Sequence, residues 1–230
     1  MTALASDPSP RRRARIAGLL YLIVMAAGMF TEYAVLGAVI VPGNATATAA
    51  RILASEQLYR LGFVADLFDY ALYGVVMVIF YGLFVPVSRS LSLMAMAFGL
   101  LGTAIVALVS LFYFAPLLLL HGAADASALV LVSLRLRNIG YDISLVFFAV
   151  HLMLLGWLII RSRFFPRVLG ALLVVSGLCY LVNSFAVFLA PTLHLPPYIL
   201  APSVFGELAL ALWLFAVGLN EAKWQEQNRS

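Results

Sequence analysis

Residues 61–86 read Leu61-Gly-Phe-Val-Ala-Asp-Leu-Phe-Asp-Tyr-Ala-Leu-Tyr-Gly-Val-Val-Met-Val-Ile-Phe-Tyr-Gly-Leu-Phe-Val-Pro86. This run carries two acids and no base, and it exceeds the roughly 20 residues that a helix needs to cross a hydrocarbon core of about 30 Å. An open strand would leave its backbone groups unpaired in lipid, so the run reads as a membrane helix. Five further stretches, 15–37, 91–116, 139–161, 166–190 and 200–220, have the same character. Together they predict an all-α, polytopic bundle of about six transmembrane helices, spanning 15–220, with a basic tail at 1–14 and a second tail at 221–230.

Composition agrees. Hydrophobic residues make up 64% of the 230 positions, charged residues 10%, and the mean hydropathy is +1.06, well above the roughly 45–50% apolar content of a soluble domain. The net charge of +4 does not point to nucleic acid, because the bases flank apolar runs, where they set orientation. With the N-terminus inside, the cytoplasmic side holds Arg11, Arg12, Arg13, Arg15, Arg89, Arg161, Arg163, Arg167, Lys223 and Arg229. The outer side then holds only Arg51, Arg60, Arg135 and Arg137, which places both termini in the cytoplasm. Arg11-Arg12-Arg13 resembles the start of a signal peptide, but the apolar run that follows is long, contains Glu32 and lacks a small-x-small cleavage site, so it reads as a retained helix.

Two outer connections carry helix signals. Asn44 is placed to cap a helix reaching Leu58, with Ile52 and Leu53 on one side; Asp125 is placed to cap another bearing Leu129, Val132 and Leu136. Both suit amphipathic helices lying on the outer membrane surface.

The candidate functional residues are acids inside the apolar runs. Glu32, Asp66, Asp69, Asp142 and Glu207 all fall toward the outer half, and Asn183 joins them late in an outward-running helix. A charge in lipid costs at least about 2.5 kcal/mol on insertion scales, so such groups pair within the bundle or line a polar cavity. The expectation is a shared outer pocket in which Glu32, Asp66, Asp142 and Glu207 meet, with Asp69 and Asn183 at its edge. Asp66 and Asp69 lie on one helical face with Tyr70 and Tyr73. Such a pair calls for a cation, an arginine or a shared proton, and Arg60, Arg135 and Arg137 are the nearest bases in sequence. Gly140, Pro202 and Gly206 flank Asp142 and Glu207 as candidate helix breaks.

His121 and His194 fall in outer connections, whereas His151 lies mid-span. On a straight helix His151 is half a turn out of phase with Asp142 and about 13 Å deeper. A hydrogen bond across the bundle, to Tyr21 or another polar group at that depth, is expected, with proton relay as the sharper alternative. The sequence carries no haem, nucleotide or flavin motif, no metal-ligand spacing and no nucleophile motif. The single cysteine, Cys179, excludes an intramolecular disulfide.

The segments Arg15-Ile-Ala-Gly-Leu-Leu-Tyr-Leu-Ile, Val41-Pro-Gly-Asn-Ala-Thr-Ala-Thr-Ala, Gly140-Tyr-Asp-Ile-Ser-Leu-Val-Phe-Phe-Ala-Val-His, Pro166-Arg-Val-Leu-Gly and Gly206-Glu-Leu-Ala-Leu-Ala-Leu-Trp-Leu resemble the bacterial membrane family called domain of unknown function 4386. The resemblance covers nearly the whole chain and implies a bacterial inner-membrane protein of about six helices, without transferring an activity. Asn183 stands where that family carries a carboxylate, so no charge-dependent role is implied there. Three functions remain open: binding or transport of a cation or small molecule at the acidic pocket, metal-assisted intramembrane hydrolysis, and a non-enzymatic scaffold whose acids pair with the outer arginines. Besides the lipid bilayer, the one partner expected is that cation or small molecule. Neither a cofactor nor an oligomeric state is assigned.

Overall fold

A computed structural model describes residues 9–122, 126–190, 192–193 and 196–229. Six helices are long and apolar enough to span a membrane: α1 (Pro10–Val39), α3 (Glu56–Phe84), α4 (Arg89–Gly122), α5 (Ser127–Arg161), α6 (Arg167–Leu189) and α7 (Ala201–Ala216), the last extended to Tyr198 by a 3-10 turn. A short α2 (Ala45–Ala54) and a C-terminal α8 (Glu221–Arg229) complete the chain, and no strand occurs among the described residues. The spans form a ring in chain order: α1 packs on α3, α3 on α4, α4 on α5, α5 on α6, α6 on α7, and α7 returns to α1.

Local chemistry explains the starts and interruptions. Ser9, Asn44 and Ser88 accept backbone N–H groups of Arg12, Ala47 and Leu91 and so begin α1, α2 and α4. In α1 the stretch Phe30–Leu36 winds as a π-helix. α4 is divided at Ser110 into Arg89–Val109 and Leu111–Gly122; within the second part Pro116 lacks the N–H that would answer the Phe112 carbonyl.

With an even number of crossings the termini share one face of the bundle, here called the near face. Arg11 and Arg15 donate to the Val217 and Phe215 carbonyls at the end of α7, and the Trp224 indole of α8 donates to the Leu83 carbonyl at 2.9 Å. The opposite, far end has its own core of Val35, Val39, Ile52, Tyr59, Tyr113 and Leu134, with neighbours. There the stacked Tyr59 and Tyr113 rings exchange hydroxyl-to-carbonyl bonds of 2.5 and 3.1 Å.

The outer helix bearing Leu129, Val132 and Leu136 is not a separate surface element: those residues belong to the 35-residue α5, which runs unbroken from Ser127 to Arg161. The charges of Arg135 and Arg137 interrupt the hydropathy there, not the backbone. Asp125, the expected cap, lies outside the described residues. Gly140 and Gly206 do not break helices either. They admit close neighbours, Val109 against Gly140 and Ser176 with the Leu172 carbonyl against Gly206.

Candidate functional site

Depth along each helix, counted at about 1.5 Å per residue from its near-face end, sorts the polar groups into two levels. Tyr21, Tyr73, His151, Tyr180 and Glu207 lie about 13–19 Å in, close to the middle of a hydrocarbon core of about 30 Å. Asp69, Asn183, Asp66 and Asp142 follow at about 22–28 Å, and Glu32 and Arg137 at about 33–36 Å.

The middle level centres on Glu207. Tyr21 of α1 donates its hydroxyl to Oε2, and Tyr180 of α6 donates to Oε1 at 2.5 Å. Tyr73 of α3 packs its ring 5.5 Å from that of Tyr21. Two helices thus present aromatic hydroxyls to a carboxylate on a third, and Glu207 enters no ion pair among the described residues. The upper level centres on Arg137, which is 7% exposed. Its Nη2 donates to Glu32 Oε1 and lies 3.7 Å from Oδ2 of the buried Asp66, while its guanidinium rides over the Tyr113 ring at 5.6 Å. The π-helical turn carries Glu32, and the Thr31 hydroxyl beside it bonds to the Gly62 carbonyl of α3 at 3.2 Å. Asp69 stands between the levels, one turn from Asp66, with Oδ1 buried and without a hydrogen-bond partner.

The acids therefore do not meet in one outer pocket. Glu32 and Asp66 share Arg137, Glu207 sits a level lower, and Asp142 forms a pair of its own by accepting the Asn183 side-chain N–H at 3.1 Å. Arg137 was expected in a connecting segment and instead lies inside the bundle, because α5 continues through it. Arg60 pairs with Glu56 at 2.7 Å, and Glu56 also faces His121 at 3.3 Å; Arg135 is exposed. Tyr141, half-way along α5, is 37% exposed. His151 bonds the Ala95 carbonyl at 2.8 Å rather than Tyr21, whose partner is Glu207. His194 lies outside the described residues. Sequence reading missed Tyr180 and the Glu56–His121 contact. The signal for Tyr180 was its depth, which matches that of Tyr21 and Glu207 once all three are counted from the same face.

Among the described residues, no three of His, Cys, Asp and Glu come together to hold a metal ion. Ser144 and Ser203 spend their hydroxyls on the Tyr141 and Ser176 carbonyls. Neither has a histidine as its hydrogen-bond partner.

Fold and site together define a multi-pass α-helical membrane protein with an ionisable centre inside the bundle. Residues 16–218 match the family described as Domain of unknown function (DUF4386), and the chain belongs to that family. Over 77 residues it is 32% identical to an uncharacterised protein of Archaeoglobus fulgidus, a stretch covering 34% of this chain and 45% of that protein, so the chain spans less than half of this relative's length. No solved structure matches the chain.

Proposed function

We propose that the protein is a carrier that takes up a proton or small cation at Glu207, approached from the far end past Asp66 and Asp69. The observation that carries this reading is the Glu207 carboxylate at mid-depth, held by two tyrosine hydroxyls and by no basic side chain. A carboxylate at that depth is stabilised by hydroxyl donors but keeps its negative charge unless a proton or cation joins it. Asp69, also without a base, stands on the route. The setting proposed is the bacterial inner membrane with both termini cytoplasmic, supported by ten basic residues near one face against four near the other. Reporter fusions after Ser90 and Ser162 are expected to give cytoplasmic signals; a periplasmic signal at either reverses the orientation.

The test is calorimetric titration of the full chain in lipid nanodiscs with Na⁺, Mg²⁺ and tetramethylammonium, with proton release followed in parallel. Binding of one of these ions, or proton exchange alone, is expected, and Glu207→Gln should weaken it at least tenfold. Asp142→Asn should change it by less than threefold. Arg137 favours a second reading, a scaffold in which buried acids serve only packing, since it already pairs with both Glu32 and Asp66. Absence of ion binding and proton exchange, or binding unchanged in Glu207→Gln, would select the scaffold.

A further inference from the structure

His151 has its own unfilled coordination. Its Nδ1 faces the Ala95 carbonyl at 2.8 Å; a carbonyl only accepts, so Nδ1 carries the ring hydrogen and Nε2 presents a bare lone pair. The side chain is 1% exposed and Nε2 has no hydrogen-bond partner. It lines a tightly packed crevice between α3, α4 and α5, together with Met77, Met96, Phe80, Ala95 and Leu155. Two thioether side chains from different helices therefore border the same space as an unpartnered imidazole. A Cβ at Gly99 would fall 2.5 Å from Met77 Sδ and 2.9 Å from His151 Nδ1, so the Met77 sulfur packs beside the imidazole ring where α4 offers no side chain. Depth agrees as well, since Met77 and Met96 each lie about 10 Å from the near-face ends of their helices and His151 about 15 Å.

We propose that Met77, Met96 and His151 form a binding site for a soft monovalent metal ion, Cu(I). An uncharged imidazole with two thioethers gives soft donors and no anionic charge, a set that selects Cu(I) over divalent ions of hard character. The ring N–H held by a backbone carbonyl is the outer-shell arrangement that orients a ligating histidine and fixes its tautomer. Methionine rotates freely enough to bring sulfur onto an ion without moving helices. Because Nε2 is already bare, the ion enters without displacing a proton. The site shares no residue with the Glu207 centre and stands independently of the function proposed above.

The test uses the full chain in nanodiscs under reducing conditions, titrated with Cu(I) against bicinchoninate and with Ag(I) as a redox-inert probe. One ion per chain is expected, retained in Cys179→Ala and in Glu207→Gln. Met77→Leu and Met96→Leu conserve volume and should each weaken binding tenfold or more, with thermal melts confirming the fold. On adding Ag(I), the ¹⁵N resonance of His151 Nε2 should move and that of Nδ1 should not. Absence of stoichiometric Cu(I) binding to the wild-type chain would overturn the proposal. So would binding that is lost in Cys179→Ala, or binding indifferent to both methionine substitutions.

Discussion

Arg137→Met is expected to lower the unfolding free energy by about 3–5 kcal/mol, the cost of leaving a buried charge without its partner. Asp66 supplies most of that loss: it is 3% exposed, and its Oδ2 has no hydrogen-bond partner and faces the guanidinium at 3.7 Å. Glu32 contributes less despite its direct contact, because its side chain is 45% exposed and solvent or headgroups screen it. The check is a compensating pair. Adding Asp66→Asn to Arg137→Met should recover more than half of the loss in denaturant or thermal unfolding of the chain in detergent, whereas adding Glu32→Gln should recover little. A single-variant loss below about 1 kcal/mol would mean that the pair is screened like a surface one.

The second large effect lies at the seam between α5 and α6. Gly156 and Gly170 face each other so closely that a Cβ on Gly170 would stand 2.4 Å from the Gly156 carbonyl oxygen, and one on Gly156 would stand 2.5 Å from the Gly170 oxygen. Further along, Gly177 meets the Ala149 carbonyl in the same way, at 2.6 Å. Helices in lipid lack a hydrophobic drive toward one another and associate through such close backbone packing. The opposing atoms are backbone and cannot rotate away, so Gly170→Leu forces the helices apart. The expected loss is about 3 kcal/mol, the upper part of the overpacking range, with Gly170→Ala intermediate. Thermal melts together with the monodisperse yield from size exclusion would measure it. A Leu variant as stable as the wild type would show that the seam tolerates separation.

The six spans were legible because hydropathy over 20 residues is a one-dimensional signal, and the Asn44 cap because its chemistry is local. Arg137 was misplaced for a definite reason: an apolar window stops at the first charge, although the helix carrying that charge continues when a carboxylate from another helix meets it. The π-helical turn at Phe30–Leu36 left no composition mark at all. Depth alone suggested that the acids share a level, but α7 has only 16 residues, so a position two turns from its start is already mid-depth, as it is for Glu207. Which hydroxyl meets which carboxylate depends on the rotation of each helix in the ring, and the low amphipathicity of spans apolar on every side conceals that rotation.

The closed ring bears on how the protein is made. Tyr21 and its acceptor Glu207 are separated by 186 residues, and Arg15 and the Phe215 carbonyl by 200. At about 5–20 residues per second, the first span waits about 10–40 seconds in the membrane before the last one is synthesised. During that interval Tyr21 can meet Tyr73 of α3, but the carboxylate that accepts its hydroxyl is still to come. A ribosome that stops short of the seventh helix therefore leaves a barrel with a missing stave, its midplane tyrosines turned toward the gap.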